Sequence, residues 1–134
     1  MNKKLYNNLL IVTAALKPYY DLSKLSHVVL SLSIDSSAKF RSVKGINEIL
    51  VHPSVLELNV ITSRYTGKVS RYPLLFVMLH EMYHYLVFTG QIPPSKTVEE
   101  EERQADIFAD NTVAVIAPVN SDEDIIANMK SMER

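Results

Sequence analysis

The stretch that decides the fold is YPLLFVMLHEMYHYLVFTG, residues 72–90. Pro73 suits the first turn of a helix and Gly90 suits its C-terminal end, so the sequence predicts one helix between them. This helix has almost no polar face, which is typical of a helix that runs through the core. The remaining elements are therefore expected to pack around it.

Two histidines and a glutamate interrupt this apolar stretch in the pattern HExxH: His80, Glu81 and His84. On a helix, residues four apart lie on one face, so both imidazoles can bind a single cation. Glu81 leans to one side of the pair, where it can reach a water on the metal and serve as a general base. A metal would also satisfy polar groups that are costly to bury alone. The alternative is a pair of core histidines hydrogen-bonded to backbone groups or tyrosine hydroxyls.

Composition narrows the class of protein. The chain has 134 residues, 47% of them hydrophobic and 22% charged, which predicts a single globular domain over residues 1–134. Zero cysteines exclude a disulfide framework, a thiolate zinc site and a cysteine nucleophile. A net charge of −1 gives no basic field for nucleic acid or an anionic membrane. No apolar run approaches the roughly 20 residues that cross a bilayer, so we expect a soluble, cytoplasmic protein.

The rest of the chain predicts an α+β fold. Ahead of the HExxH helix, the patterns indicate a helix over residues 3–15, strands over 26–35 and 47–52, and a short strand and turn within 36–45. Residues 54–63 fit a short helix or irregular structure, and residues 66–70 fit a loop. After the HExxH helix we expect helices over residues 98–116 and 122–132. The predicted fold is a small single domain whose short mixed sheet packs on the HExxH helix and the helix that follows it.

A zinc ion held by two histidines needs a third protein ligand, and a catalytic site keeps the fourth position open. No histidine follows His84, so a downstream ligand must be a carboxylate. On the helix predicted over residues 98–116, Glu102 lies within an apolar stripe and faces inward, with Glu101 as its competitor. Asp106, one turn later, can accept the free ring N–H of a ligating histidine. The alternative is that these acids only solvate one face of the helix.

Two segments of the chain resemble the zinc motifs of the gluzincin peptidases. They are HEMYH at residues 80–84 and ERQADIFA at residues 102–109, and they most closely resemble the ImmA/IrrE-like metallopeptidases. The resemblance implies a small zincin with a helical zinc centre and a short sheet. It also implies Zn²⁺ as the cofactor, Glu81 as the base and three zinc ligands: His80, His84 and Glu102.

The predicted function is zinc-dependent hydrolysis of a peptide bond. Zinc would lower the pKa of its bound water toward about 7, and Glu81 would take the proton and pass it to the leaving amine. The strand nearest the helix would hold an extended substrate by backbone pairing. We expect a protein or peptide substrate and no nucleic-acid or membrane partner, while the oligomeric state stays open. The oxyanion also needs a donor, for which there are five candidates: Tyr72, Tyr83, Tyr85, His52 and Arg103.

The alternative function comes from a different class: a zincin fold kept as a zinc-stabilised binding or regulatory module without turnover. Tyr83 crowds the zinc helix at a position where the related family usually has glycine. The chain is also short and contains no evident substrate subdomain. A third reading is a metal-free structural protein with a core histidine pair.

Overall fold

The computed structural model describes residues 2–117, and the helix predicted over residues 122–132 lies outside them. Its elements run in the order α1 (Lys3–Leu16), β1 (His27–Leu30), β2 (Ala38–Val43), β3 (Ile46–Val51), a 3-10 turn (Pro53–Glu57), β4 (Ile61–Thr62), β5 (Val69–Ser70), α2 (Pro73–Phe88) and α3 (Val98–Ile116). The prediction of an α+β fold is confirmed. No helix within residues 2–117 is both long and apolar enough to cross a membrane.

Strand β3 is the centre of a three-stranded mixed sheet, parallel to β1 on one side and antiparallel to β2 on the other. A two-residue turn, Lys44 and Gly45, joins β2 to β3 with φ of 53° and 81°. Positive φ at both positions is the conformation of a type I′ hairpin turn, and glycine adopts it without strain. In the strand order β1-β3-β2, strand β2 lies at an edge of the sheet.

Helix α2 is the core helix that the sequence predicts. Twelve of its 16 residues are buried. It packs against α1, against α3 and against the inner face of β2 and β3. The buried side chains Val12, Ile49, Leu79 and Ala109 belong to one hydrophobic core that joins these layers. The four residues that are not buried, His80, His84, Val87 and Phe88, lie on one face of the helix. Burial of the rest fixes the helix rotation, so this face has no freedom to turn away.

The structure corrects three local predictions. The strand expected over residues 26–35 ends at Leu30, which pairs with Val51 at the end of β3, and Leu32 beyond it is 78% exposed. Residues 54–63 contain most of the 3-10 turn, followed by β4. The loop expected over residues 66–70 includes β5, which pairs antiparallel with β4 to form a hairpin over residues 61–70. We call this segment the β4–β5 hairpin.

Candidate metal centre

The two histidines of α2 meet one carboxylate of α3. The Nε2 atoms of His80 and His84 lie 3.3 Å apart. Glu102 spans them, with one oxygen 2.8 Å from Nε2 of His80 and the other 3.0 Å from Nε2 of His84. The structure therefore brings together the three residues that the sequence predicts as zinc ligands.

A second pair of carboxylates lies behind the rings. Nδ1 of His80 is 2.7 Å from Oδ1 of Asp106, and Nδ1 of His84 is 2.6 Å from Oε2 of Glu101. An ionised carboxylate only accepts hydrogen bonds, so these two carboxylates favour a proton on each Nδ1. In a neutral ring with the proton on Nδ1, Nε2 has a lone pair. In that tautomer the Nε2 lone pairs of both rings face the oxygens of Glu102.

If both rings are neutral, this arrangement places acceptors against acceptors, and a bound cation would balance them. A tetrahedral zinc with bonds of about 2.0–2.1 Å holds its ligand atoms about 3.3 Å apart, close to the Nε2 separation described above. Neutral imidazole nitrogen and carboxylate oxygen are also ligands that Zn²⁺ accepts. Ligand atoms of His80, Glu81 and His84 also lie within 4.8 Å of one another, so Glu81 is close enough to share the site, although Glu102 makes the shorter contacts with both rings. Protonation of both rings is the other way to balance these charges.

Glu81 lies beside the three ligands. Its side chain is buried, and Oε1 accepts the backbone N–H of Phe40 at 2.7 Å. Its other oxygen, Oε2, is 3.8 Å from Nε2 of His80. Burial raises the pKa of the Glu81 carboxyl, although the two histidines and the Phe40 N–H oppose that rise. A carboxylate that is held near the ligand atoms and has a raised pKa is suited to accept a proton.

Asp106 also connects α3 to the β4–β5 hairpin. Its Oδ2 accepts the Ser63 hydroxyl at 3.0 Å and the Tyr65 backbone N–H at 3.1 Å. One turn further along α3, Asp110 accepts the Thr66 hydroxyl at 2.5 Å. The hairpin is therefore fixed to the same helix that carries Glu102.

A cleft of about 840 Å³ opens over the candidate ligands. One wall is the edge of β2, and the other is the β4–β5 hairpin with its residues Ile61, Thr62, Arg64 and Tyr65. The Ser37 carbonyl pairs with the N–H of His52, so the odd-numbered residues of this segment bond to β3. The backbone groups of the even-numbered residues, such as Phe40, consequently face away from β3, and the Phe40 N–H meets Glu81 in the cleft.

Three of the five oxyanion candidates are tyrosines, and none lies among the described residues that line the cleft. Tyr85 donates its hydroxyl to the Asp21 carbonyl at 2.9 Å. Tyr83 packs its ring against Phe108, with the centroids 5.5 Å apart. Tyr72 is buried at the start of α2. These tyrosines lie outside the face of α2 that lines the cleft, so their side chains meet other elements.

The other two candidates also lie away from the described cleft lining. Nδ1 of His52 is 2.8 Å from the Ser54 hydroxyl, at the start of the 3-10 turn. Arg103 is exposed and forms an ion pair with Glu100 at 2.7 Å. Sequence reasoning missed Tyr65, a tyrosine that does line the cleft. The strands around it have two residues each, too short to give a periodic signal.

No protein-family model, curated protein or solved structure matches this chain. The resemblance to the ImmA/IrrE-like metallopeptidases therefore stays a prediction that rests on residues 80–84 and 102–109.

Proposed function

We propose that this protein is a zinc-dependent metallopeptidase with a zincin-like fold. One observation carries the proposal: the Nε2 atoms of two imidazoles and both oxygens of a carboxylate converge on one point beside a buried glutamate. With neutral rings and no cation, these atoms would repel one another. The residues are those of a three-ligand catalytic zinc site, and the cleft above them leaves room for a substrate.

Within this proposal, His80, His84 and Glu102 hold the metal. Zinc supplies Lewis acidity toward water and toward the carbonyl of the scissile bond. Asp106 and Glu101 keep the ring protons on Nδ1, so that both Nε2 atoms stay available as ligands. These carboxylates also prevent the imidazole rings from rotating.

Glu81 is the proposed general base. Its Oε1 is held by the Phe40 N–H, and its Oε2 points toward the ligand atoms. Oε2 would take a proton from the attacking water and deliver it to the leaving amine. Tyr65 is the tyrosine of the described cleft lining, and we propose its hydroxyl as the oxyanion donor in place of the five candidates from the sequence.

The edge of β2 is the proposed site for the substrate backbone. An extended peptide can add to a free strand edge, with main-chain hydrogen bonds providing affinity. The Phe40 carbonyl is one group available for this pairing, because even-numbered residues of β2 face away from β3. Phe40 and Phe88, whose ring centroids are 5.6 Å apart, form an apolar patch for a substrate side chain at this end of the cleft.

Metal analysis and peptide cleavage together test the proposal. We expect about one zinc per chain. Glu81→Gln should keep the zinc and lower kcat at least 100-fold, since general acid–base catalysis contributes about 10²–10⁴. Glu99→Gln is the matched control, because Glu99 is exposed on the first turn of α3. His84→Ala should lose the zinc, and a variant that bound zinc as well as wild type would overturn the site.

A second candidate function is a zinc-stabilised module without turnover. The hydrogen bond from the Phe40 N–H to Glu81 favours it, because Glu81 then serves to tie α2 to the edge of the sheet. In that case zinc-loaded wild type would cleave no member of a peptide library. Glu81→Ala would lower the melting temperature, while Glu81→Gln, whose amide oxygen can still accept the Phe40 N–H, would leave the protein's biological effect intact. For either function we propose the cytoplasm as the compartment, on the cysteine-free sequence alone.

A further inference from the structure

Arg64 lines the cleft from the β4–β5 hairpin. Its guanidinium carbon lies 5.3 Å from the centroid of the Tyr65 ring, a cation–π distance. Within residues 2–117 Arg64 forms no ion pair, whereas Arg41 and Arg103 are each paired with a glutamate. A guanidinium in a cleft without an acidic partner is available for a ligand.

The carboxylates of the neighbouring helix already have other partners. Glu102 contacts both histidines, Glu101 contacts His84 and Asp106 contacts His80. Asp110 accepts the Thr66 hydroxyl. None of these four acids forms an ion pair with Arg64, although the three that line the cleft give this side of it a negative charge that would repel an acidic substrate elsewhere along it.

The backbone of Arg64 is fixed relative to the candidate metal ligands. The hairpin is pinned to α3 on both sides of Arg64, by the hydroxyl of Ser63 and by the N–H of Tyr65, and both bonds end on Asp106. The same carboxylate orients His80. The turn is therefore ordered before a ligand binds, and only the exposed side chain of Arg64 has to be ordered by the contact.

We propose that Arg64 binds a carboxylate of the substrate and so makes this peptidase select acidic peptides. The inference rests on the proposed function and names its substrate class. Arginine is suited to the role because its planar fork binds a carboxylate through two parallel hydrogen bonds while its face rests on an aromatic ring. The carboxylate belongs to an aspartate or glutamate side chain near the scissile bond, or to the C-terminus of the peptide.

Cleavage of matched peptides tests the selection. The peptides share one sequence and carry Asp, Asn or Lys at a position flanking the scissile bond, each with a free or an amidated C-terminus. We expect the carboxylate forms to have kcat/KM about 10- to 100-fold higher, as a charge-assisted hydrogen bond of about 1.5–3 kcal/mol implies. Loss of the preference on amidation identifies the C-terminus, and loss on Asp→Asn identifies the side chain.

Variants then separate recognition by Arg64 from a general electrostatic effect. Arg64→Gln should remove the preference for carboxylate peptides. Arg64→Lys should keep little of that preference, because lysine cannot form the bidentate contact. Lys68→Gln is the control on the same hairpin, since Lys68 is exposed and is not among the described cleft residues. Lys39→Gln removes a charge from the opposite wall. Equal losses in the Lys39 and Arg64 variants would overturn the inference.

Binding provides a readout that does not depend on turnover. Zinc-loaded Glu81→Gln is titrated into a fluorescein-labelled Asp peptide and its Asn counterpart, with anisotropy as the signal. We expect about 10-fold tighter binding of the Asp peptide and loss of the difference when Arg64→Gln is added. If wild type cleaves acidic and amide peptides equally, the inference fails while the peptidase stands. If no peptide is cleaved but the Asp peptide still binds through Arg64, the proposed function fails while recognition stands.

Discussion

Asp106 is the residue on which the candidate site depends most after the ligands themselves. It is buried, and its two oxygens serve different parts of the molecule. Oδ1 accepts the Nδ1 proton of His80, while Oδ2 accepts bonds from Ser63 and Tyr65 on the hairpin. One carboxylate thus contacts a ring nitrogen of a candidate metal ligand and also holds a wall of the cleft.

Asp106→Asn should weaken zinc binding by about 10- to 100-fold, the range found for partners of metal-bound histidines. If the amide oxygen keeps the bonds to the hairpin, its NH₂ group faces His80 and donates to Nδ1. The ring proton then moves to Nε2, the atom that must bind the metal. Competition with a zinc-chelating dye measures the affinity.

The control for this change is Asp110→Asn, one turn later on α3. Its amide oxygen can still accept the Thr66 hydroxyl, so zinc affinity should match wild type. If Asp106→Asn bound zinc with the same affinity as wild type, the tautomer assigned to His80 would be wrong.

Helix spacing made the proximity of the three candidate ligands predictable. His80 and His84 lie one turn apart on α2, and the inward stripe of the next helix selected Glu102 with Asp106 behind it. Glu101 was expected to compete with Glu102 for the metal, but it lies on the far side of the His84 ring and accepts its Nδ1 proton. Spacing along one helix identifies a face, and only the packing of α3 on α2 decides which ring atom each acid meets.

The two walls of the cleft, the edge of β2 and the β4–β5 hairpin, could not be predicted from helix spacing. Phe40 reaches Glu81 across 41 positions of sequence, and the bond depends on the register of β2 against β3. Arg64 and Tyr65 lie between two-residue strands that carry no periodic pattern. The three tyrosines predicted as donors lie outside the described cleft lining for a related reason, since a helix sequence with almost no polar face gives little from which to infer direction.

At the scale of elements, one ionic contact joins all three strands of the sheet. Glu48 on β3 pairs in register with His27 on β1 and with Arg41 on β2. Its carboxylate contacts Nε2 of His27 at 2.6 Å and accepts a hydrogen bond from Nε of Arg41. Cross-strand pairs of opposite charge stabilise a sheet, and here one carboxylate serves both neighbours of the central strand.

This contact predicts a pH-dependent contribution to stability. The hydrogen bonds from Arg41 and then from His27 hold the pKa of Glu48 below its ordinary value of 4.5. A lowered carboxyl pKa means that the stabilisation is fully present above about pH 4.5 and is lost as the pH falls through the lowered value. Glu48→Gln should therefore lower the free energy of unfolding by about 1 kcal/mol at pH 6, a small effect because both partners are about half exposed.

Urea unfolding of wild type and Glu48→Gln between pH 6 and pH 3 measures the effect. The difference between the two should shrink toward zero below pH 4.5. Glu57→Gln serves as the comparison, because Glu57 is exposed and forms no ion pair within residues 2–117. A difference that stayed constant with pH would show that the Glu48 carboxylate contributes through packing instead of charge.

The strands also show where local patterns stop being informative. Alternating residues continue past Leu30, yet β1 ends there because β3, its pairing partner, ends at Val51. The short strand and turn expected within residues 36–45 correspond to β2 and its two-residue turn, since Gly45 marks the turn directly. A strand therefore extends only as far as its partner, and the partner is distant in sequence.

At the scale of the whole molecule, the candidate metal centre joins the two helices that form most of the core. Its ligands come from α2 and α3, and Asp106 adds the β4–β5 hairpin. Opening the fold separates His80 and His84 from Glu102, so the unfolded chain has no assembled site. Zinc should therefore bind the native state far better than the unfolded state.

That difference predicts a large effect of metal on thermal stability. At free zinc of about 100 times its Kd, binding adds about 2.7 kcal/mol to the free energy of unfolding. For a domain of this size the melting temperature should rise by roughly 10 °C. Scanning calorimetry of zinc-loaded protein with and without a chelator measures it, and His84→Ala should show no shift. A wild-type melting temperature unaffected by chelation would instead support a histidine pair balanced by protons, because a ligand that binds only the native state must raise its stability.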